Sequence, residues 1–228
     1  MSSESPKRLL FRQFAAVAKA VAHEHRLELL EALAQGERRV EILANRTGMS
    51  VANTSQHLQL MRRAGLIESR REGKFTFYRL SGPAVLDLLA ALILIGERHV
   101  GEVDKIVRTY FLSRDELEPI SRSELRKRIK GGDVQVIDVR PQDEFASGHL
   151  PNAINIPLEE LEAQLAMLDT KKEIVAYCRG AYCVLSFDMV ERLRARGFKA
   201  RRLEDGWPEW QAAGLPVMVC GQGSRAGT

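Results

Sequence analysis

The sequence predicts a multi-domain chain, with a mainly α domain that includes a β-hairpin followed by an α/β domain built on a parallel sheet. Three observations predict this. Residues 8–65 place apolar side chains at helical spacing in successive short segments, and 66–80 then alternates in part around the turn "REGK". Beyond residue 121 short apolar runs such as "VQVIDV" and "EIVAYC" alternate with helical segments, the pattern of a parallel sheet with helices on its faces. The 228 residues also suit one large or two small domains, at roughly 150 residues per domain.

In order along the chain, "RLLFRQFAAVAKAVA" (8–22) sets Leu10, Phe14, Val17 and Val21 at helical spacing. A second helix fits 24–35, with Leu27, Leu30 and Leu33 inward and Gly36 as its stop. "RVEILANRTG" is a short helix closed at Gly48. Ser50 is a good N-cap for "VANTSQHLQLMRRAG", which closes at Gly65. The span 66–80 is a hairpin. "GPAVLDLLAALILI" starts a long helix with Pro83 in its first turn, and apolar residues continue through Val100, Val103, Ile106, Val107 and Tyr110. The polar stretch "SRDELEPIS" (113–121), with Pro119, breaks the pattern. "SRSE" (121–124) then forms a capping box for a helix ending near Gly131, "VLSFDMVERLRARG" is a helix, and "KARRLE" a strand. These boundaries give a first domain over 1–112, a linker over 113–120, a second domain over 121–218 and a tail over 219–228.

The composition, 45% hydrophobic and 28% charged, is that of a globular protein rather than a disordered one. Three cysteines are too few, and of the wrong parity, for a secreted disulfide framework. "MSSESPKRLLFRQF" lacks the apolar core of a signal peptide. The most apolar stretch, "AVLDLLAALILIG", contains Asp87 and is too short to cross a bilayer, so no membrane partner is expected. The expectation is a cytoplasmic protein with reduced thiols at rest.

Basic charge is concentrated at the front. Residues 1–112 hold 17 Lys/Arg against 12 Asp/Glu, and 113–228 hold 17 against 18. Within the first domain, 62–79 has six basic residues against two acidic ones, a cluster that suits a polyanion. Two short helices joined by "TGMS" and followed by a basic hairpin form a winged helix-turn-helix pattern. On a helical wheel Val51, Ser55, Leu58 and Met61 share one face. Ala52, Asn53, Gln56, Gln59, Leu60 and Arg63 lie opposite, and amides there suit adenine edges in the major groove. Arg70, Arg71 and Lys74 on the hairpin are expected against phosphates. Ser50, Thr54 and His57 of the same segment complete the expected DNA-binding set, and the expected partner is a double-stranded DNA operator.

"MSVANTSQHLQLMRRAGLIESRREGKFTFYRLS" resembles the ArsR family of bacterial repressors, through the S-x-H-L-x-x-L-x-x-A-G-L core from Ser55 to Leu66 and the wing "REGKFTFYRL". The resemblance covers about residues 8–110. It implies a homodimer joined through the first and last helices of the domain, with two recognition helices in successive major grooves roughly 34 Å apart. Metal-sensing members carry cysteines ahead of the recognition helix, whereas "GERRVEILANRTG" has none. His23, His25 and His99 are spare imidazoles, and no metal site is expected from them.

The second domain places its chemistry in "AYCRGAYCVLS". Cys178 ends a predicted buried strand and opens a loop before a helix, where backbone N–H groups and the positive helix end favour thiolate. In such sites a cysteine pKa falls from about 8.5 to roughly 3.5–7.5. Cys183 lies five positions on. It has two readings: a resolving thiol that attacks a persulfide or sulfenic acid on Cys178, or a side chain that fills space at the helix start. The first requires Cα atoms within about 7 Å. Cys220 reads as incidental, and Cys178, Cys183 and Cys220 have no zinc spacing. No metal ion and no cofactor are expected.

"VIDVRPQDEFASGHLPNAINIP", "YCRG" and "LEDGWPEWQAAGLPV" together resemble the rhodanese (sulfurtransferase) domain, over roughly 120–218. By that resemblance Cys178 carries a persulfide sulfur and Asp138 and Arg140 serve structure near the loop. His149 shapes a turn. The backbone amides of Gly180, Ala181, Tyr182 and their neighbours cradle the added sulfur or an anionic donor, and Arg179 adds positive charge beside it. The loop departs from the common C-R-x-G-x-R pattern because Cys183 replaces its last basic residue, which weakens the case for thiosulfate. Val184 stands where the related phosphatases need arginine, so phosphatase activity is discounted.

The expected function is a DNA-binding regulator, a repressor by its resemblance, that senses reactive sulfur or redox state through Cys178 and takes a small sulfur-containing anion or persulfide donor. The alternatives are a working sulfurtransferase with an attached DNA-binding domain, and a regulator whose second domain is an unreactive scaffold.

Overall fold

The computed structural model describes residues 5–111 and 119–219. It divides into two compact units, Met1–Leu92 and Ile93–Thr228. Most of the expected linker and the tail with Cys220 lie outside the described residues.

The first unit runs α1 (Pro6–Val21), α2 (Glu24–Ala34), β1 (Arg38–Arg39), α3 (Val40–Thr47), α4 (Val51–Arg63), β2 (Ile67–Glu72), β3 (Phe75–Leu80) and the start of α5 (Pro83–His99). Local chemistry sets the ends. Ser5 and Ser50 cap α1 and α4 by accepting the N–H groups of Arg8 and Asn53, and Gly48 closes α3 in the left-handed conformation. β2 and β3 pair antiparallel, with Glu72 opposite Phe75, so Gly73 and Lys74 form a two-residue turn. Gly73 has φ +58°, the positive value such hairpin turns require at that position.

Leu29, Leu30, Leu33, Leu43, Leu58, Met61, Leu66 and Ile67 build the core of this unit. Each such side chain contributes about 1.5–3 kcal/mol by leaving water. Two expectations of facing are corrected. Leu27 is exposed and Leu29 takes the inward place, because packing turns the row of Arg26, Leu29, Leu30 and Leu33 toward the core. Val51 is likewise exposed, at the first residue of α4, while Thr54 joins Leu58 and Met61 in the buried row. β1, a two-residue strand on β3, carries no periodic signal short enough to read in the sequence.

The expected long helix is broken at Val100, which leaves helical geometry and gives α5 and then α6 (Gly101–Tyr110). The second unit continues with α7 (Arg122–Gly131), β4 (Val134–Asp138), α8 (Gln142–Ser147), β5 (Ile154–Asn155), α9 (Leu161–Gln164), β6 (Glu173–Tyr177), α10 (Val184–Ala195), β7 (Ala200–Arg202) and α11 (Trp207–Ala212). The four strands form a parallel sheet in the order β5-β4-β6-β7. Alternation along the strands feeds two cores. Ile137, Ile174 and Ala176 pack with Met189, Val190 and Leu193 on one face. Val136, Val175 and Tyr177 pack with Leu125, Leu150, Trp207 and Trp210 on the other. Both faces are covered, which is why β4 and β6 read as continuous apolar runs.

Candidate functional site

In the first unit, α4 presents Asn53, Gln56, Gln59, Leu60 and Arg63 to solvent, a surface of amides and one cation. Two members of the expected set do not belong to that surface. Thr54 is 0% exposed and its hydroxyl donates to the Ser50 carbonyl at 3.0 Å, so it holds the first turn of the helix. His57 is half-buried, with its ring 4.8 Å from that of His23.

On the hairpin, Arg71 and Lys74 are exposed. Arg70 is tied down: it donates to Glu37 at 2.8 Å, pairs with Glu72, and lies 4.5 Å over the Phe77 ring. Its charge is therefore balanced by two carboxylates rather than left free for a phosphate. Glu37 lies far from Arg70 in sequence, and β1 brings it alongside the wing. Arg39 stacks 4.5 Å over Phe75, a cation at the wing that the sequence reading did not single out.

In the second unit, β6 delivers Cys178 at its C-terminal end and α10 begins at Val184, with Cys183 as its N-cap residue. A disulfide joins Cys178 to Cys183, with Cα atoms 6.1 Å apart. This differs from the expectation of reduced thiols at rest. The loop turns tightly, the Cys183 N–H donating to the Gly180 carbonyl at 3.2 Å, and that turn brings the two cysteines within bonding distance. Cys178 is 1% exposed, whereas Cys183 is partly exposed.

Arg179 does not stand free beside the sulfurs. Its guanidinium lies 2.7 Å from the carboxylate of the fully buried Glu144 on α8. The loop backbone is pinned on the other side by Arg202, which donates to the Ala181 carbonyl at 3.3 Å and stacks 4.3 Å over Phe187. Tyr182 packs edge-on to Phe111 at 5.2 Å and its hydroxyl donates to Glu97. Burial, reinforced by that bond to Glu97, pushes the phenol up from its ordinary range. Gly180 meets the backbone of Gly206 so closely that a Cβ on Gly206 would lie 2.3 Å from the Gly180 nitrogen, so the "EDGW" turn can approach the loop only as glycine. The Trp207 N–H donates to the Cys178 carbonyl at 3.0 Å.

Asp138 and Arg140 form a fully buried ion pair at 2.6 Å. Tyr177 donates its hydroxyl to Asp138 and accepts the Leu150 N–H at 3.1 Å, while Arg140 donates to the Gly148 carbonyl at 2.8 Å. The network ties the ends of β4 and β6 to the turn that follows α8. His149 stacks 3.8 Å on Phe145 and bonds the Phe145 carbonyl through Nδ1. Glu144 and Arg202 were missed by the sequence reading. Glu144 lies inside the quoted "VRPQDEFASGHL", where a glutamate on a short helix looks like any solvated carboxylate.

Comparison with known proteins accords with this division. Residues 23–69 match the bacterial regulatory protein, arsR family, and residues 121–213 match the rhodanese-like domain. An HTH-type transcriptional regulator of Mycobacterium tuberculosis, Rv0324, is 44% identical over 211 residues, 92% of each chain. The thiosulfate sulfurtransferase GlpE of Coxiella burnetii is 29% identical over 94 residues, 41% of this chain and 86% of that one. Among solved structures, the homodimeric winged helix-turn-helix DNA-binding domain of a Mycobacterium bovis protein is 42% identical, covering 44% of this chain and 94% of that one, with a TM-score of 0.40. A rhodanese-related protein of Thermoplasma volcanium is 31% identical, covering 45% and 99%, with a TM-score of 0.41. The chain thus belongs to the ArsR family of bacterial transcriptional regulators and carries a rhodanese-like domain behind its helix-turn-helix.

Proposed function

We propose that this regulator is a homodimeric DNA-binding repressor whose rhodanese-like domain reads reactive sulfur or redox state through Cys178 and Cys183. The observation that carries the reading is the pairing of the two loop cysteines across 6.1 Å, in a loop whose one arginine is already neutralised by Glu144. Such a loop lacks free positive charge for holding a sulfur oxyanion through repeated turnover, but it can register a two-electron change. With a persulfide donor R–S–SH, the Cys178 thiolate takes the outer sulfur and releases RS⁻. The Cys183 thiolate then attacks Cys178 Sγ, expels HS⁻ and closes the disulfide. One persulfide is consumed, two cysteines are oxidised, and a thiol and sulfide leave. A dithiol reductant reverses the state. Homodimerisation is supported by the apolar residues that α1 and α5 leave exposed, among them Leu10, Phe11, Phe14, Leu92, Ile93 and Ile95, and by the homodimeric Mycobacterium bovis relative.

The test is operator affinity of the reduced, disulfide and persulfide-treated protein, for wild type, Cys178→Ser and Cys183→Ser. Wild-type affinity changes between states by about 5–150-fold, the usual range of allosteric coupling, and both variants lose the change. Equal affinities throughout refute the sensor. A second reading, a working sulfurtransferase, is favoured by the likeness of the second domain to the Coxiella burnetii enzyme. Multiple turnovers of thiosulfate to cyanide would support it, and uptake of a single sulfur without turnover would support the sensor.

A further inference from the structure

Three imidazoles gather where α2 meets α4. His23 is the N-cap of α2, His25 lies in its first turn, and His57 comes from the middle of α4. The ring centroids are 4.8 Å apart for His23 and His57, 5.4 Å for His23 and His25, and 6.2 Å for His25 and His57. Three rings this close cannot all be cationic without mutual repulsion.

Each ring has a distinct tie. His23 Nδ1 accepts the backbone N–H of His25 at 3.2 Å, so this nitrogen must be unprotonated for the cap of α2 to hold. His25 Nδ1 lies 3.0 Å from Glu28, the carboxylate on α2 that pairs with the cluster. His57 is half-buried, and the charged groups acting on it are His23, Arg26 and His25. Arg26 is buried, held by the carbonyl oxygens of Lys19 and Ala22 on the α1 side, with its Nε left without a hydrogen-bond partner. The other elements packed on α4, namely α1, α3 and β2, supply none of the charges acting on His57. Burial first, then these positive neighbours, hold His57 below its ordinary value of 6.5.

Among the described residues no group of three such side chains is arranged to hold a metal ion, so the proton is the ligand that the geometry favours. We propose that His23, His25 and His57 form a proton-sensitive brace, which docks α4 on the start of α2 when neutral and loosens it on acidification, weakening DNA binding. A proton on His23 Nδ1 removes the acceptor that caps α2. A proton on His57 sets a cation against Arg26 and two other imidazoles. Both events act on the helix that carries Asn53, Gln56 and Gln59. The sign follows from the direction of the shift. A base held low in the folded state contributes stability that is full above the unfolded value, and is lost as the pH falls through that value towards the folded one.

The inference rests on α4 as the DNA-reading helix, and the experiment separates the two. NMR titration of the imidazole resonances in the full-length protein needs no DNA. His57 titrates below 6.5, and His23→Gln moves it upward by removing one positive neighbour. A His57 that titrates at or above 6.5, or that is unmoved by His23→Gln, overturns the proposal. Zinc chloride that binds one ion per chain and shifts all three rings together also overturns it, by assigning the cluster to a metal. Affinity is then read with a duplex selected from a random pool by the protein itself near neutral pH. Between about pH 7.5 and about pH 5.5 the wild type loses about fivefold more affinity than His57→Gln. Equal losses overturn the brace, whereas failure to select any duplex would instead overturn α4 as a DNA reader while leaving the titration result intact.

Discussion

The guanidinium of Arg179, the residue that follows Cys178, lies 2.7 Å from the carboxylate of Glu144, which has no exposed surface. The two partners are not equivalent. Arg179 keeps 26% of its side chain in solvent, while Glu144 has nowhere to go. Arg179→Ala takes the guanidinium away from a fully buried carboxylate, at a cost of about 3 kcal/mol. Glu144→Gln leaves a guanidinium that can swing to water and costs less. Denaturant unfolding followed by tryptophan fluorescence checks the order, since both tryptophans, Trp207 and Trp210, lie in the second core. Equal costs would mean that Arg179 finds no route to solvent.

The Asp138–Arg140–Tyr177 network predicts a second ordering. Tyr177→Phe removes a hydroxyl that serves both Asp138 and the Leu150 N–H, leaving a buried amide unpaired, for about 1–3 kcal/mol. Asp138→Ala removes the carboxylate paired with the fully buried Arg140 and costs more, about 3–5 kcal/mol. The same fluorescence-monitored unfolding distinguishes them, and a Tyr177→Phe protein as unstable as Asp138→Ala would show that the phenol, not the ion pair, holds the turn.

How much of this was legible in the sequence follows from what kind of signal each feature leaves. Periodicity marked α4, the hairpin and the strands β4 and β6, because buried faces repeat at fixed intervals. It failed at Leu27 and Thr54, where two adjacent rows of the helix fit the same apolar spacing and packing decides which of them turns inward. It could not find β1 or β5, each two residues long. At the thiol loop the cysteine spacing was visible, but the neutralisation of Arg179 was not. Glu144 lies 35 positions away and reaches Arg179 only because α8 follows β4 and β4 pairs with β6. The histidine cluster is hidden for the same reason, with His57 assigned to DNA by its place on α4 while the packing of α2 claims it.

Exposure orders the two loop sulfurs. In the disulfide state neither cysteine alkylates. After reduction, iodoacetamide modifies the partly exposed Cys183 before Cys178, which is 1% exposed. Peptide mapping by mass spectrometry over a short time course checks this. Modification of Cys178 first, or of both at one rate, would show that the reduced loop opens, and would place the entering sulfur donor on Cys178 without any rearrangement beyond the reduction itself.

The wing and the recognition helix predict different kinds of loss in DNA binding. Arg71 and Lys74 are exposed and lack the carboxylate partners that Arg70 has in Glu37 and Glu72. Replacing either by Ala weakens binding to all duplexes alike and lowers the slope of log affinity against log salt by about 0.9, one released counterion. Arg70→Ala changes that slope less, because its charge is already balanced; its larger effect is on the wing, where it also covers Phe77. Gln56→Ala, on the exposed amide face, costs about 1–3 kcal/mol on the selected duplex and little on random sequence. Titrations at several salt concentrations, on selected and random duplexes, separate the three. A full-sized slope change for Arg70→Ala would mean that the Glu37 contact breaks on DNA and frees the guanidinium for phosphate.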